Sequence, residues 1–279
     1  MHITNKISTI FGKFSKLEFP QIIQTIINTI YIKIFNLDMT EFKEANDYKS
    51  LNLLFTRALK VQRKIDKEKN TFISPCDSLI SQSGIVENNT IFQIKDMPYN
   101  IEELLTYHCT NNLPKLSSGN YMNFYLSPKD YHRYHSPVDF KINKLIHVPG
   151  KLYPVNLKYL NKEIDLFNQN ERVILECISN KKIFYMIFIG ALNVGQMIFN
   201  FEPKVETNTN SEDIKIYTYE DLHINKADEI GYFKMGSTIV MIWEKGFVTL
   251  AKKSNDIIKY GEKIAQIENT IKAKGNKNE

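Results

Sequence analysis

The sequence is poor in cysteine, and this scarcity limits where the protein works. It contains Cys76, Cys109 and Cys177, an odd number with no CxxC spacing. Such a set excludes a disulfide-stapled scaffold and favours a reducing compartment. The first twenty residues also lack the uninterrupted apolar run and small-residue cleavage site of a secretory signal. We therefore expect an intracellular protein.

Concentrated positive charge is absent as well. The formal net charge is +5, and no Arg-rich stripe is present. This distribution excludes a nucleic-acid footprint, whereas a mild excess of positive charge suits a surface that carries anionic lipid. With 43% hydrophobic and 24% charged residues, the composition is that of a soluble globular protein.

No hydrophobic run is long enough to be a convincing membrane span. The best candidate, residues 183–199, is shorter than the roughly 20 residues that a span needs. It is also interrupted by Asn193, Gly195 and Gln196. We interpret it as two buried strands joined near Gly190.

An amphipathic helix is predicted over residues 19–37, beginning at Pro20. Its apolar residues recur at three- and four-residue spacing and are Ile22, Ile23, Ile26, Ile27, Ile30, Ile34 and Phe35. Such a face either packs on the protein's own core or lies on a bilayer. The periodicity leaves both interpretations open.

The remaining pattern predicts an α+β fold, with a largely antiparallel β catalytic body preceded by a helical N-terminal extension. Residues 1–65 form the extension, which is a candidate for membrane docking. Its second helical face comprises Leu51, Leu54, Phe55, Ala58 and Leu59. Residues 66–279 form the catalytic domain, in which short apolar runs alternate with Gly, Pro and Asn. The polar stretch 203–230 is interpreted as an excursion over the surface.

Three segments carry polar groups that a purely structural role explains poorly. They are Asp77 in "SPCD", the pair His132 and His135 in "DYHRYHSPVD", and the Gly236–Ser237 step. A serine needs a base, and the base needs an orienting carboxylate, to become a nucleophile. Taken singly, each segment is also explained by a turn, a structural histidine or a strand bend.

The spacing of His132 and His135 permits a metal site as an alternative. Zinc requires a third and preferably a fourth ligand. His108, His147 and Asp77 are available, but none has a diagnostic spacing. We therefore predict no metal.

Several stretches together resemble one family. They are "LNLLFTRALKVQR", "SPCD", "GNYMNFYLSPKDYHRYHSPVD", "VPGKLYPVN", "NERVIL", "IGALNVG" and "KADEIGYFKMGSTIVMIWE". In this order they resemble the bacterial phosphatidylserine decarboxylase proenzymes, which are pyruvoyl-dependent decarboxylases. Ser78 and Phe140 stand where the family commonly has glycine, and Met235 replaces a different apolar residue.

The resemblance implies a zymogen that cuts itself. Ser237 attacks the Gly236 carbonyl, His135 takes the hydroxyl proton, and Asp77 orients the imidazole. Residues 1–236 become the β chain and residues 237–279 the α chain, and Ser237 becomes a covalent pyruvoyl group.

The implied substrate is phosphatidylserine in the membrane. The pyruvoyl ketone forms a Schiff base with its amine, and the products are phosphatidylethanolamine and CO2. His132 is the expected proton donor to the product. A peripheral protein on the cytoplasmic face of the cell membrane is expected, as a heterodimer of its own two chains, with higher oligomers left open.

Two other functions remain as alternatives. Asp77, His135 and Ser237 could serve a serine hydrolase acting on an external ester, although the GxSxG elbow is missing. A non-catalytic β-rich lipid-binding module, with "IIKYGEKIAQI" as an ordinary hairpin, is the other. Both predict an unbroken chain.

Overall fold

The computed structural model describes residue 10 and residues 12–92, 98–155, 166–192, 196–209, 212–234 and 237–268. Its helices include α1 (Gln21–Phe35), α2 (Leu51–Phe55), α3 (Ile101–Leu105), α4 (Leu113–Leu116) and α5 (Leu166–Gln169), and there are 3-10 turns at Ala45–Asp47 and Tyr107–Asn112. The predicted α+β class is confirmed, with helices before a β-rich body.

The strands run from residue 71 to residue 267. They are β1 (Thr71–Ile73), β2 (Ser78–Ile85), β3 (Thr90–Phe92), β4 (Pro98–Asn100), β5 (Asn120–Leu126), β6 (Arg133–His135), β7 (Phe140–Val148), β8 (Arg172–Ser179), β9 (Lys182–Ile189), β10 (Met197–Phe199), β11 (Lys215–Ile224), β12 (Glu229–Phe233), β13 (Ser237–Trp243), β14 (Val248–Leu250), β15 (Ile257–Ile258) and β16 (Lys263–Ile267).

The main sheet has eight antiparallel strands in the order β11-β7-β8-β9-β13-β5-β2-β15. Successive side chains of a strand point to opposite faces, and β13 therefore contributes to two cores. Ile239, Met241 and Trp243 join one hydrophobic cluster. Val240 and Ile242 join the other. Both faces of the sheet are covered, so the central strands are continuous apolar runs.

Smaller sheets flank the main one. The first, β10-β12-β6, pairs the histidine-bearing strand β6 with β12. Gly231 in β12 is required there, because an added Cβ would lie 1.8 Å from the Ile198 carbonyl oxygen. The others are β1-β16-β14 and β3-β4.

The N-terminal helices differ from the prediction in extent. Helix α1 follows Pro20 as expected. Helix α2 is capped by the Ser50 hydroxyl, which accepts from Leu53 N–H at 3.3 Å, and it ends at Phe55. Ala58 and Leu59 lie beyond it, so the predicted continuation of one helical face was wrong. The domain boundary at residue 65 stays a prediction.

Helix α1 packs with its polar side inward. Its buried residues are Gln24, Asn28 and Tyr31. The Asn28 amide donates to the backbone carbonyls of Ala45 and Tyr48, each at 2.8 Å. Five isoleucines are instead 49–78% exposed: Ile22, Ile23, Ile26, Ile30 and Ile34. The interpretation in which this isoleucine face packs on the protein's own core is therefore wrong.

Three further stretches can be compared with the sequence analysis. Within the stretch expected to cross the surface, residues 215–224 form β11, an edge strand paired with β7. The hairpin that belonged to the lipid-binding alternative does not form, because β15 pairs with β2 while β16 pairs with β1 and β14. Residues 183–199 do contain two strands, β9 and β10. No helix among the described residues is long and apolar enough to cross a bilayer.

Candidate active site

Ser237 is the first residue of β13, at the centre of the main sheet. It pairs with Leu126 of β5, and Thr238 pairs with Ile189 of β9. Strand β12 belongs to a different sheet, and three residues separate its end from the start of β13. The predicted cleavage site therefore falls in a short connection between two sheets. Gly236 lies outside the described residues, and for Ser237 only the backbone is described.

The histidine block lies beside this connection. In the register of β6 and β12, His135 pairs with Glu229 and Arg133 with Tyr232. The Phe233 N–H also donates to the His132 carbonyl at 3.0 Å. The sheet thereby brings His132 next to the segment that leads into Ser237, while His135 lies at the other end of β12.

His132 is fully buried and is bonded through one of its ring nitrogens. Its ring centroid lies 4.0 Å from that of Phe55. Nδ1 is 2.8 Å from the Asp130 carbonyl oxygen, which can only accept, so Nδ1 carries the hydrogen. Nε2 has no partner among the described residues. Burial, followed by the positive charge of Arg57, lowers the pKa of His132 to about 3. The ring is neutral at pH 7.

His135 has partners at both ring nitrogens. Nδ1 donates to the Ala227 carbonyl at 3.1 Å, so Nε2 is the acceptor and takes a hydrogen bond from the Tyr131 hydroxyl at 3.0 Å. The ring stacks on Tyr260 with 3.7 Å between centroids. Burial lowers the pKa of His135 to about 4. This histidine is also neutral at pH 7 and has a lone pair at Nε2.

Asp77 is anchored by an arginine. Arg63 donates to both carboxylate oxygens, with Nη2 2.9 Å from Oδ2. Oδ1 also accepts the Tyr260 N–H at 2.8 Å. No hydrogen bond joins Asp77 to His135; Tyr260 stands between them, bonded to one through its backbone and stacked on the other. The backbone N–H of His135 donates to the Pro75 carbonyl at 2.8 Å, which keeps β6 adjacent to the segment that carries Asp77.

The other histidines considered for a metal are placed elsewhere. His147 in β7 is bonded to Glu171 at 2.7 Å. His108 lies in the 3-10 turn Tyr107–Asn112. In the part of the chain that the structure describes, no three His, Cys, Asp or Glu side chains form a group that could hold a metal ion.

Comparison with known proteins assigns the family. The family model for phosphatidylserine decarboxylase matches residues 51–266. The chain belongs to the phosphatidylserine decarboxylase family.

Individual relatives are similar to this chain over most of its length. The phosphatidylserine decarboxylase proenzyme of Campylobacter jejuni is 43% identical over 270 residues, covering 95% of this chain and 100% of the relative. That of Helicobacter pylori strain J99 is 43% identical over 269 residues, covering 95% and 97%. That of Francisella tularensis subsp. novicida is 34% identical over 242 residues, covering 84% and 83%.

Within the segment that matches the phosphatidylserine decarboxylase model, Arg63 is a site residue that the sequence did not reveal. Besides Asp77, it holds Glu41 through Nε and Nη2, each at 2.8 Å. These hydrogen bonds lower the pKa of Glu41. Arg63 thereby ties the N-terminal segment to the candidate catalytic carboxylate. It stands in a lysine-rich stretch with no spacing signal, so only the fold identifies its partner.

Proposed function

We propose that this chain decarboxylates phosphatidylserine to phosphatidylethanolamine and CO2, using a pyruvoyl group made from its own Ser237. The observation that carries the proposal is the pairing of β6 with β12, which sets His132 beside Phe233, close to the segment entering Ser237, and His135 farther back along the same strand pair, opposite Glu229. The relatives' shared name, proenzyme, supports a chain that is processed before it acts.

Self-cleavage begins with the serine hydroxyl. Ser237 Oγ adds to the carbonyl carbon of Gly236, and the Gly236–Ser237 C–N bond breaks to leave an ester and a free amine. Loss of the Ser237 Cα proton then breaks the Cβ–O bond, and Gly236 leaves as a carboxylate. The remaining dehydroalanine takes up water and releases ammonia, which gives the pyruvoyl group.

His135 is the base for the first step. Nε2 is its proton-accepting atom, since Nδ1 already donates to Ala227, and the Ser237 hydroxyl must displace the Tyr131 hydroxyl that Nε2 now accepts. Asp77 acts on this ring through Tyr260, whose amide it binds and whose ring stacks on the imidazole. The carboxylate therefore orients the base, and its negative charge favours the imidazolium that forms.

The residues around His132 fit a reacting ketone at Ser237. A fully buried nitrogen without a partner is costly unless a ligand uses it, and Nε2 of His132 is such an atom. The pyruvoyl ketone supplies an electron sink for the bond between the substrate carbon and its carboxylate. Because His132 is neutral at pH 7, Nε2 can accept a hydrogen bond from the substrate ammonium and take up one of its protons when that nitrogen reacts and loses its charge. It then delivers that proton to the carbon that has lost CO2.

The two products of cleavage are expected to remain together. Strand β13 of the small chain lies between β5 and β9 of the large chain, with six paired residues on each side. Strand β16 lies between β1 of the large chain and β14. Separating the chains would leave these buried backbone groups without partners. We therefore propose a stable heterodimer of the α and β chains.

The proposal is tested by whether the purified chain breaks. Denaturing electrophoresis with intact-mass analysis should show residues 1–236 and a small piece that begins with a blocked residue 237. A serine hydrolase or a lipid-binding module would give one continuous polypeptide. Decarboxylase activity in an unbroken chain would refute the pyruvoyl proposal.

Arg63 offers a prediction about the cleavage step alone. Arg63→Gln should slow self-cleavage roughly 10- to 100-fold, because Asp77 loses a bidentate, charge-assisted partner. Once cleaved, the variant should decarboxylate at the normal kcat, since Arg63 binds Asp77 and Glu41 whereas His132 binds the Asp130 carbonyl, with no contact between them among the described residues. A pulse-chase of newly made protein measures the first rate, and CO2 release measures the second.

The matched control is Lys252→Gln, which removes a surface ion pair with Glu262 at 3.4 Å. Its cleavage rate should equal that of the wild type. Arg63→Lys should recover part of the loss. Equal rates for Arg63→Gln and Lys252→Gln would show that Arg63 does not position Asp77.

We also propose that α1 docks the enzyme on the cytoplasmic face of a membrane as a peripheral protein. The exposed isoleucine face supports this, because a contiguous apolar face in water is a typical interfacial feature. Free, buried cysteines suit the same compartment. Helix α1 would bring phosphatidylserine to the enzyme while the polar side of the helix holds it to the body.

Replacing Ile22, Ile26 and Ile30 together with Gln should weaken binding to phosphatidylserine-containing vesicles at least about 10-fold, because a buried isoleucine contributes roughly 1.5–3 kcal/mol. Co-sedimentation at several lipid concentrations measures the affinity. The matched control replaces three apolar residues exposed elsewhere: Val61, Ile85 and Ile257. Equal loss in both triple variants would contradict docking by α1.

A further inference from the structure

Arg57 is buried, and among the described residues no carboxylate is in direct contact with it, although Asp77 and Asp130 are near enough to act on its charge. It follows α2 and is 2% exposed. Nη2 donates to the carbonyl oxygens of Lys129 at 2.7 Å and Asp130 at 3.2 Å, and the guanidinium lies 4.4 Å from the ring centroid of Phe42. Within the described ranges no carboxylate forms an ion pair with it. A buried guanidinium held only by carbonyls and a ring lacks the anion that normally offsets its desolvation.

Two donor nitrogens of Arg57 have no hydrogen-bond acceptor among the described residues. They are Nε and Nη1, and both are buried. The hydroxyl of Tyr31 in α1 is also buried and has no hydrogen-bond partner among the described residues. Burial raises the pKa of Tyr31, and the positive charge of Arg57 opposes that rise. The two groups therefore interact electrostatically. Unused donors on a cation predict an anionic acceptor rather than another donor.

The position of Arg57 relative to His132 suggests which anion this is. The Asp130 carbonyl oxygen accepts from both side chains, at 3.2 Å from Arg57 Nη2 and 2.8 Å from His132 Nδ1. The two nitrogens are therefore no more than about 6 Å apart. In a phosphoserine headgroup, one oxygen and one carbon separate the phosphorus from the α-carbon that His132 serves. An anion of the same headgroup can therefore reach Arg57.

A cleft supplies the space. Arg57 lines an opening of about 280 Å³ together with Lys129 and Asp130. Two other cations that line this opening, Arg63 and Lys259, already bind Glu41, and Arg63 also binds Asp77. Lys129 forms no ion pair with a described residue, so it can offer a second positive charge beside Arg57.

We propose that Arg57 binds the phosphate of the substrate headgroup, with the Tyr31 hydroxyl as an additional donor. This assignment rests on the proposed function. The substrate carboxylate is the poorer partner, because an ion pair would stabilise a charge that disappears when CO2 leaves. The phosphate keeps its charge throughout the reaction. Helix α1, which carries Tyr31, then has one face for the bilayer and one for the headgroup.

The decisive experiment measures binding and needs no pyruvoyl group. Full-length Ser237→Ala protein is titrated calorimetrically with glycerophosphoserine, with L-serine and with inorganic phosphate. Adding Arg57→Gln should weaken glycerophosphoserine binding roughly 10- to 100-fold, and Arg57→Lys should weaken it less. Binding of L-serine should not change. The control, Lys252→Gln, should bind like the parent.

Each outcome decides the assignment. Equal glycerophosphoserine affinity with and without Arg57 overturns it. Inorganic phosphate binding as tightly as glycerophosphoserine also overturns it, since the site would then serve a free anion. If Arg57→Gln does not fold, Arg57→Lys with an unchanged Tm decides by the same titration. If wild-type protein stays uncleaved, the proposed function fails while the binding result can still be interpreted.

In the processed enzyme the same assignment predicts a specific kinetic split. With a soluble short-chain phosphatidylserine, Arg57→Lys should raise KM while kcat stays within about threefold of the wild type. A phosphate contact is made equally in the ground and transition states, so its loss appears in KM. A fall in kcat alone would instead assign Arg57 to the tuning of His132 and overturn the phosphate assignment.

Discussion

Ser237→Ala should leave one full-length polypeptide with no decarboxylase activity. Alanine has no oxygen to attack the Gly236 carbonyl, so neither the ester nor the ketone can form. Position 237 opens a strand that is paired on both sides, so the fold should tolerate the smaller side chain. Denaturing electrophoresis, intact mass and CO2 release measure the three consequences together.

The matched control is Ser83→Ala, in β2 of the same sheet. It removes a serine hydroxyl that is not part of the candidate site, so this variant should cleave and decarboxylate as the wild type does. Two fragments from Ser237→Ala, or activity from its continuous chain, would end the pyruvoyl proposal.

His132→Gln should separate the two reactions. Self-cleavage should proceed, because His135 is the base for that step. Decarboxylation should fall roughly 10²- to 10⁴-fold, the usual contribution of a positioned proton-transfer group. Glutamine can still donate to the Asp130 carbonyl that His132 Nδ1 now binds, so the local fold should survive. Fragment ratios on a gel report cleavage, and labelled CO2 reports turnover.

His135→Gln provides the contrast. It removes the Nε2 lone pair that takes the Ser237 proton, so this variant should remain largely uncleaved. If His132→Gln blocks cleavage while His135→Gln cleaves normally, the two roles are exchanged. If His132→Gln decarboxylates at the wild-type rate, His132 has no role in the mechanism.

The central strands and the candidate site could be predicted from sequence for different reasons. The apolar runs at β8, β9 and β13 are long because both faces of the main sheet are covered. Side chains that point to either face are therefore mostly apolar. The site was predicted from its resemblance to a family, since Asp77, His135 and Ser237 are far apart along the chain. No local spacing joins them.

Edge elements were harder to predict. Strand β11 alternates partly buried and exposed residues at the sheet edge, so its composition is that of a surface loop. Helix α2 ends at Phe55, and both the backbone N–H and the hydroxyl of its C-cap, Thr56, bond to the Asn52 carbonyl, whereas the apolar pattern continues to Leu59. Periodicity indicates where apolar side chains recur, but a helix end is set by such local hydrogen bonds.

The sequence by itself determined that α1 has an isoleucine face, that strands dominate after residue 70, and which family the chain resembles. Only the tertiary structure decided that the isoleucine face points outward, since Asn28 finds its carbonyl partners in residues seventeen and twenty positions away. It also decided that Arg63 holds Asp77 and that Arg57 shares a carbonyl with His132. Side-chain periodicity is a local property of the chain, whereas ion pairs and free donors depend on segments that meet only after folding.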